Sequence, residues 1–244
     1  MFSKELALKC LDLSMVTGLT LPDIKGMCKK YYDGQYDRLM SEYSGLVGKN
    51  LNLYKEPSTD TDWLFYEEDS VLYIAFRGSE SDLDWHMDFL IDKLVVPFDR
   101  DPQIKKDKLH QGFLTCYMSV RDRILEKVKS SNKKNVVVTG HSLGAAQASI
   151  CSLDVQYNFR DVNVVQYSFG APNVGNPEYC KGHRKYVKET YLIRNGFDLV
   201  SFVPPGIFGY SQICDHIQVG NKKMFPSLTD HTPLFYYQNI IKSL

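Results

Sequence analysis

The sequence predicts an α/β fold, a mostly parallel sheet with helices packed against it, and three observations predict it. Short β-rich apolar runs are spread along the chain, a strongly periodic helical segment separates the first two, and 244 residues suit a single domain of this class. In chain order, Leu6, Leu8, Leu11, Leu13 and Val16 begin a helical segment closed by Gly18 and Pro22, and Leu39 to Tyr43 supply a second. Residues 1–60 therefore read as a helical N-terminal part of the same domain. Val71-Leu-Tyr-Ile-Ala-Phe76 is the first clear strand, ended by Arg77-Gly78. Phe113, Tyr117, Val120, Ile124 and Val128 recur at intervals of four, three, four and four, which is one buried helical face. Val136-Val137-Val138 makes a second strand ahead of Gly140, and an Ala-rich helix follows to about Tyr157. Val162 to Phe169 and Tyr191 to Ile193 supply two more strands. Parallel neighbours joined by right-handed helical crossovers make one doubly wound sheet the economical topology.

Composition narrows the function. Lys+Arg and Asp+Glu are 29 each, so the chain lacks the basic excess expected of a nucleic-acid binder. No internal repeat, low-complexity tract or linker divides it, and residues 1–244 read as one domain. The six cysteines form no C-x-x-C pair and no zinc-spaced cluster with histidine. Lys4, Glu5, Lys9 and Asp12 interrupt any signal-like apolar stretch, no sequon occurs, and no run is long enough for a spanning helix. These features lead us to expect reduced thiols and a cytoplasmic or otherwise intracellular protein.

The most informative stretch is Thr139-Gly140-His141-Ser142-Leu143-Gly144-Ala145-Ala146. The bare G-x-S-x-G pattern arises by chance in roughly one chain in ten of this length. Its place between a β-branched strand and a helix is the specific part. A serine at such a turn projects its hydroxyl away from its own backbone, and flanking glycines let neighbouring chain approach. The helix aims its first N–H groups and its positive dipole end where an oxyanion would form, which makes the Leu143 N–H a natural donor. Ser142 is the candidate nucleophile.

Four ordered motifs carry a resemblance. Phe76-Arg-Gly-Ser79, His110-Gln-Gly-Phe113, Gly140-His-Ser-Leu-Gly144-Ala-Ala and Phe169-Gly-Ala-Pro-Asn-Val-Gly175 together resemble the class 3 lipases, the family of filamentous-fungal triacylglycerol lipases and plant lipase-like acylhydrolases. The resemblance covers about residues 70–235 and implies an α/β-hydrolase fold with a short lid helix. It implies a Ser-His-Asp triad and acyl-enzyme chemistry with no metal or organic cofactor.

A serine nucleophile needs an imidazole to take its proton and a carboxylate to set the tautomer of that imidazole. In α/β-hydrolases the order is Ser, Asp or Glu, His, so the candidates ahead of the last histidine are Asp154, Asp161, Asp198, Asp215 and Asp230. Asp154 lies about three turns along the nucleophile's own helix, and Asp161 precedes a strand and belongs at the opposite sheet edge. Asp198 follows a strand and the Asn195-Gly196 turn, where open α/β sheets build their sites, and it resembles the family aspartate that precedes a Pro-Pro. His216 and His231 compete as the base. His216 resembles the family's strand leading away from the site. His231, before a helix opened by Pro233, resembles the C-terminal loop histidine and is preferred. The family places an aromatic three residues after its base, where this chain has Leu234. His183, between Lys181 and Arg184, reads as a solvated surface residue, His110 as a residue near the site, and His141 as packing.

By the same resemblance, Ser79 supplies the second oxyanion donor. Residues 80–101 form a candidate lid, with Leu83, Met87, Leu90 and Leu94 as an apolar stripe and Trp85 and Asp88 resembling the lid's Trp-x-x-Asp. Such a stripe can close over a cleft in water and turn outward on a lipid surface. The surplus of Asp and Glu in this segment points to neutral or zwitterionic lipids. The expected activity is hydrolysis of glycerolipid acyl esters, with transient lipid-surface contact, no nucleic-acid partner and no transmembrane segment. A phospholipase A1-like or soluble carboxylesterase activity is the alternative among enzymes. A lipase-like binding module without turnover is the alternative outside them.

Overall fold

The computed structural model describes residues 1–18, 35–78, 92–97, 106–221 and 224–243. Seven strands form the main sheet: β1 (Leu51–Glu56), β2 (Thr61–Glu68), β3 (Val71–Phe76), β6 (Asn135–His141), β7 (Asn163–Phe169), β8 (Glu189–Asn195) and β9 (His216–Val219), in that spatial order. β1, β2 and β3 are antiparallel neighbours, and every pair from β3 to β9 is parallel. β4 (Lys93–Val95) and β5 (Lys108–His110) make a separate antiparallel ribbon. Among the described residues, the α-helices are α1 (Lys4–Val16), α2 (Gln35–Tyr43), α3 (Gln111–Ser131), α4 (Leu143–Asn158), α5 (Pro177–Tyr186) and α6 (Pro233–Ser243). Among the described residues, no helix is long and apolar enough to cross a membrane.

Strand alternation builds two cores, one on each face. Leu72, Ile74, Phe76, Val136 and Val138 point toward α3, α4 and α5, where Phe113, Tyr117, Ile124, Ala146, Ile150 and Tyr179 complete the cluster. Tyr73, Ala75, Val137, Tyr167, Phe169 and Ile193 point the other way, onto Leu11 of α1, Leu39 of α2 and Tyr236 and Ile240 of α6. The predicted face of α3 is buried at each of its five positions. α4 lies in the middle of its layer and is buried from Leu143 to Val155. Its Asp154 is held by Arg121 at 2.6 Å and by the Tyr117 hydroxyl at 2.8 Å, a structural pairing remote from the nucleophile.

Two readings need correction. Residues 1–60 are not wholly helical, because β1 occupies Leu51–Glu56 and pairs with β2 through Tyr54↔Trp63 and Leu51↔Tyr66. The candidate lid helix cannot run through residue 101. Residues 80–91 and 98–101 lie outside the described residues, but Lys93–Val95 is strand, and Leu94, read as the end of an apolar helical stripe, is an exposed strand residue opposite Leu109. The β-branched Val95-Val96 pair and Pro97 favour extended backbone there.

Parallel register fixes where the loops emerge. Phe76 pairs with Gly140, His141 with Phe169, Phe169 with Ile193, and Asn195 with Val219. The carboxyl ends of β3, β6, β7 and β8 therefore share one edge, and residues 78, 142, 170 and 198 follow them.

Candidate active site

Ser142 sits between the end of β6 and the start of α4 with φ 57° and ψ −124°, a conformation costly for a residue with a side chain. It is held there from several sides. Its N–H donates to Phe169 O at 3.0 Å, and its carbonyl accepts from Ala145 N at 2.9 Å. Close packing of the turn depends on bare glycine, since a Cβ on Gly140 would collide with the Gly144 backbone and one on Gly144 with the Phe76 backbone. This is the strained strand-to-helix turn that the sequence pattern implies. Leu143 opens α4, so its N–H has no helical carbonyl behind it and lies beside the serine. Ser79 lies outside the described residues. Its neighbour Gly78 packs against the turn, where a Cβ would lie 3.1 Å from His141 O and 3.3 Å from Ser142 Cβ.

Asp198 and His231 are brought together. Asp198 follows β8, is fully buried, and accepts the Val200 N–H on Oδ1 at 2.9 Å. His231, from the loop ahead of α6, places Nδ1 2.7 Å from Asp198 Oδ2. A carboxylate accepts there, so this contact keeps the hydrogen on Nδ1 and leaves Nε2 as the basic nitrogen. Burial by itself would push the Asp198 carboxyl up. The His231 charge, with donation from His231, Tyr236 and the Val200 N–H, outweighs burial and holds the group below the usual carboxylate range.

Three supporting residues escape the sequence reading. Tyr236, on the first turns of α6, donates its hydroxyl to Asp198 Oδ2 at 2.5 Å. It stands five residues after His231, two beyond Leu234. Gly170 follows β7 with φ 57°, and a Cβ there would lie 2.7 Å from Asp198 Oδ2 and from His231 Nδ1. Asp230 accepts the Phe197 N–H on Oδ2 at 2.9 Å, and its carbonyl accepts from Asn195 Nδ2 at 2.9 Å, which ties the base's loop to the aspartate's loop. The Phe169-Gly170-Ala171 motif and the Phe235 to Tyr237 aromatic run were the available signals; Asp230 is one of the aspartates that chain order allows as the orienting acid, and it ties the two loops instead.

The other histidines sort by contact. His216 lies in β9, as its resemblance implied, and burial, then the Arg194 charge, push it down to about 4. His183 is not a surface residue. It is fully buried on the inner face of α5 beside Tyr179, and burial pushes its imidazole down to about 3. Its charged sequence neighbours occupy other faces of the helix. His110 caps α3, with Nδ1 accepting the Phe113 N–H at 3.4 Å. His141 is more than packing, since its Nε2 lies 2.8 Å from His231 O.

Residues 73–208 match the profile of the family described as "Lipase (class 3)". A lipase of Rhizomucor miehei is 33% identical over 178 residues, 66% of this chain and 47% of that protein. A phospholipase A1-II 5 of Oryza sativa subsp. indica is 30% identical over 196 residues, 68% of this chain and 42% of that protein. The chain thus spans about half the length of these relatives. Among solved structures, a triacylglycerol lipase whose catalytic centre is described as a serine protease triad superposes with a TM-score of 0.73 at 22% identity, covering 96% of this chain and 98% of that one. The Rhizomucor miehei lipase propeptide complex gives 0.69 at 21% identity, covering 98% and 80%. These likenesses identify the fold as that of the α/β-hydrolase lipases.

Proposed function

The chain belongs to the class 3 lipase family, and on that premise we propose that it is a serine ester hydrolase acting on the acyl esters of glycerolipids. The observation that carries the proposal is the 2.7 Å contact of His231 Nδ1 with a buried aspartate, at the sheet edge where Ser142 occupies its strained turn. In the proposed reaction the Ser142 hydroxyl oxygen attacks the ester carbonyl carbon while His231 Nε2 takes its proton. Asp198 keeps the Nδ1 hydrogen in place and balances the imidazolium. The N–H groups of Leu143 and Ser79 receive the oxyanion; each such donor is worth on the order of 3 kcal/mol of transition-state stabilisation. Collapse of the intermediate breaks the ester C–O bond, and the alcohol leaves with the proton held by His231. Water then attacks the acyl-enzyme by the same route, releasing the fatty acid and restoring Ser142.

A lipid-facing site is supported by apolar side chains left in water on the loops beyond β8 and β9. Ile207 is 87% exposed, Met224 83% and Phe225 73%. Large apolar groups on loops at the strand ends suit a protein that meets an oil or bilayer surface. The segment 80–101, of which residues 92–97 are described, remains our candidate for the moving cover, shortened at its end by β4.

Labelling with a serine-directed fluorophosphonate and peptide mapping tests the nucleophile: modification at Ser142, abolished in Ser142→Ala, is expected. A labelled protein that turned over neither nitrophenyl esters, triacylglycerol nor phosphatidylcholine would overturn the activity. Release of fatty acid from phospholipid in preference to triacylglycerol would place the chain with the phospholipase A1 relatives instead.

A further inference from the structure

Three parts of the site converge on the His141 imidazole. It ends β6 immediately before Ser142. Its ring centroid lies 4.4 Å from that of His231 at 31° between planes, and Tyr236 stands edge-on at 5.8 Å. Nε2 is 2.8 Å from the His231 carbonyl oxygen. A carbonyl oxygen only accepts, so the ring atom facing it bears the hydrogen. Burial, with the His231 charge adding to it, pushes the His141 imidazole down to about 3, so at neutral pH it is uncharged and holds one ring hydrogen. That hydrogen is on Nε2, which leaves Nδ1 an acceptor. Nδ1 lies 3.5 Å from the place of a Cβ on Gly78, facing the end of β3 from which the proposed oxyanion loop departs.

A leucine or phenylalanine could fill this space without the cost of burying an imidazole. The imidazole supplies what an apolar side chain cannot. The Nδ1 contact to Asp198 fixes one point of the His231 ring, and a ring held at one point can swing about it. A donor to the His231 backbone fixes the loop, and a second ring in contact at 4.4 Å between centroids limits the swing. We propose that His141 is a positioning residue, whose Nε2–H holds the His231 carbonyl and whose ring packs at a tilt against the imidazole, so that the base is set in register with the nucleophile one residue away. Among the described residues, the groups that face it, His231, Asp198 and Tyr236, include no permanent cation. Being neutral, it adds no like charge beside the imidazolium that forms on His231. The inference rests on His231 acting as the base.

The test uses the whole chain and a soluble nitrophenyl ester, comparing His141→Leu with His141→Gln, whose amide N–H reaches toward the same carbonyl. Misplacing a base by about 1 Å costs on the order of 100-fold, so His141→Leu is expected to lose about 100-fold in kcat with KM within about twofold. His141→Gln is expected to recover at least tenfold of that loss, on the order of one hydrogen bond. A Leu variant with near-native kcat, a loss confined to KM, or a Gln variant no better than Leu would each overturn the proposal. If the Leu variant does not fold, as judged by its thermal melt, His141→Asn takes its place, with a donor one methylene too short and the same expected loss. His231→Ala and Ser142→Ala run alongside: activity surviving in either would refute the underlying triad, an outcome distinct from failure of the His141 variants.

Discussion

The Tyr236 hydroxyl and the Asp198 carboxylate meet at 2.5 Å on Oδ2, the same oxygen that receives His231 Nδ1. One carboxylate oxygen thus takes two donors, one from the base and one from the helix that follows the base, while Oδ1 takes the Val200 N–H. Deleting the hydroxyl in Tyr236→Phe keeps the ring contacts with His141 and Phe169. A hydrogen bond to a charged group is worth about 1.5–3 kcal/mol. We therefore expect a fall of about tenfold or more in kcat/KM together with a lower thermal midpoint, both read on the purified variant. Unchanged values would show that the hydroxyl does not support the carboxylate.

Asp198→Asn preserves shape and removes the charge. Its amide can offer a hydrogen to Nδ1, which turns the imidazole into the wrong tautomer for accepting a proton from Ser142. In a serine protease the equivalent change lowers turnover by about 10⁴. A loss of that order is expected here, and steady-state ester hydrolysis is sufficient to measure it. A variant within tenfold of the parent would remove Asp198 from the mechanism.

Gly170→Ala puts a methyl group where Asp198 Oδ2 and His231 Nδ1 are each 2.7 Å away, on backbone at φ 57°. Left-handed backbone costs an alanine about 1–2 kcal/mol before any collision is counted. The collision falls on the pair that sets the base, so we expect kcat to fall on the order of 100-fold. Thermal denaturation and kinetics on the same sample separate the two effects. Full activity in this variant would contradict the geometry.

His183 gives the fold a dependence on acid. Its folded pKa is depressed to about 3 from an ordinary 6.5 because burial disfavours the charged ring. Below about pH 6.5 the unfolded chain binds a proton that the folded chain refuses, so stability contributed by the neutral form falls as pH drops toward 3. One proton corresponds to a slope of about 1.4 kcal/mol per pH unit. His183→Gln should flatten the stability curve between pH 6 and 4 by about that slope, as read from urea unfolding at each pH. Parallel curves for parent and variant would sink the assignment.

Much of this was legible in the chain, for identifiable reasons. β3 is a continuous apolar run and β6 carries Val136-Val137-Val138 because both of their faces are covered, and α3 shows a clean period because one face is in water. Ser142 and Asp198 declare themselves by following strands. β1 and β2 went unread since their stability comes from antiparallel partners, Tyr54 against Trp63 for example, and local sequence says little about a partner. His183 was misread because Lys181 and Arg184 outweighed its place on an inner helical face. Tyr236, Gly170 and His141 act across 38, 28 and 90 residues on Asp198 or His231, and such contacts exist only once the chain has folded.

α6 begins two residues after His231 and carries Tyr236 to Asp198; it packs on α1 and the last two strands, with the Tyr236 ring reaching His141 and Phe169 and the Tyr237 ring under Arg38. The final turn of machinery thus rides on a helix packed against the sheet rather than on the sheet itself. Transient detachment of that helix would cost less than global melting, and it would withdraw the imidazole's anchor while every strand stayed paired. On heating, turnover should therefore vanish some degrees before the ellipticity of the sheet does, with the amides of residues 233–243 exchanging first. A warmed sample would hold molecules that are intact to spectroscopy and dead to substrate.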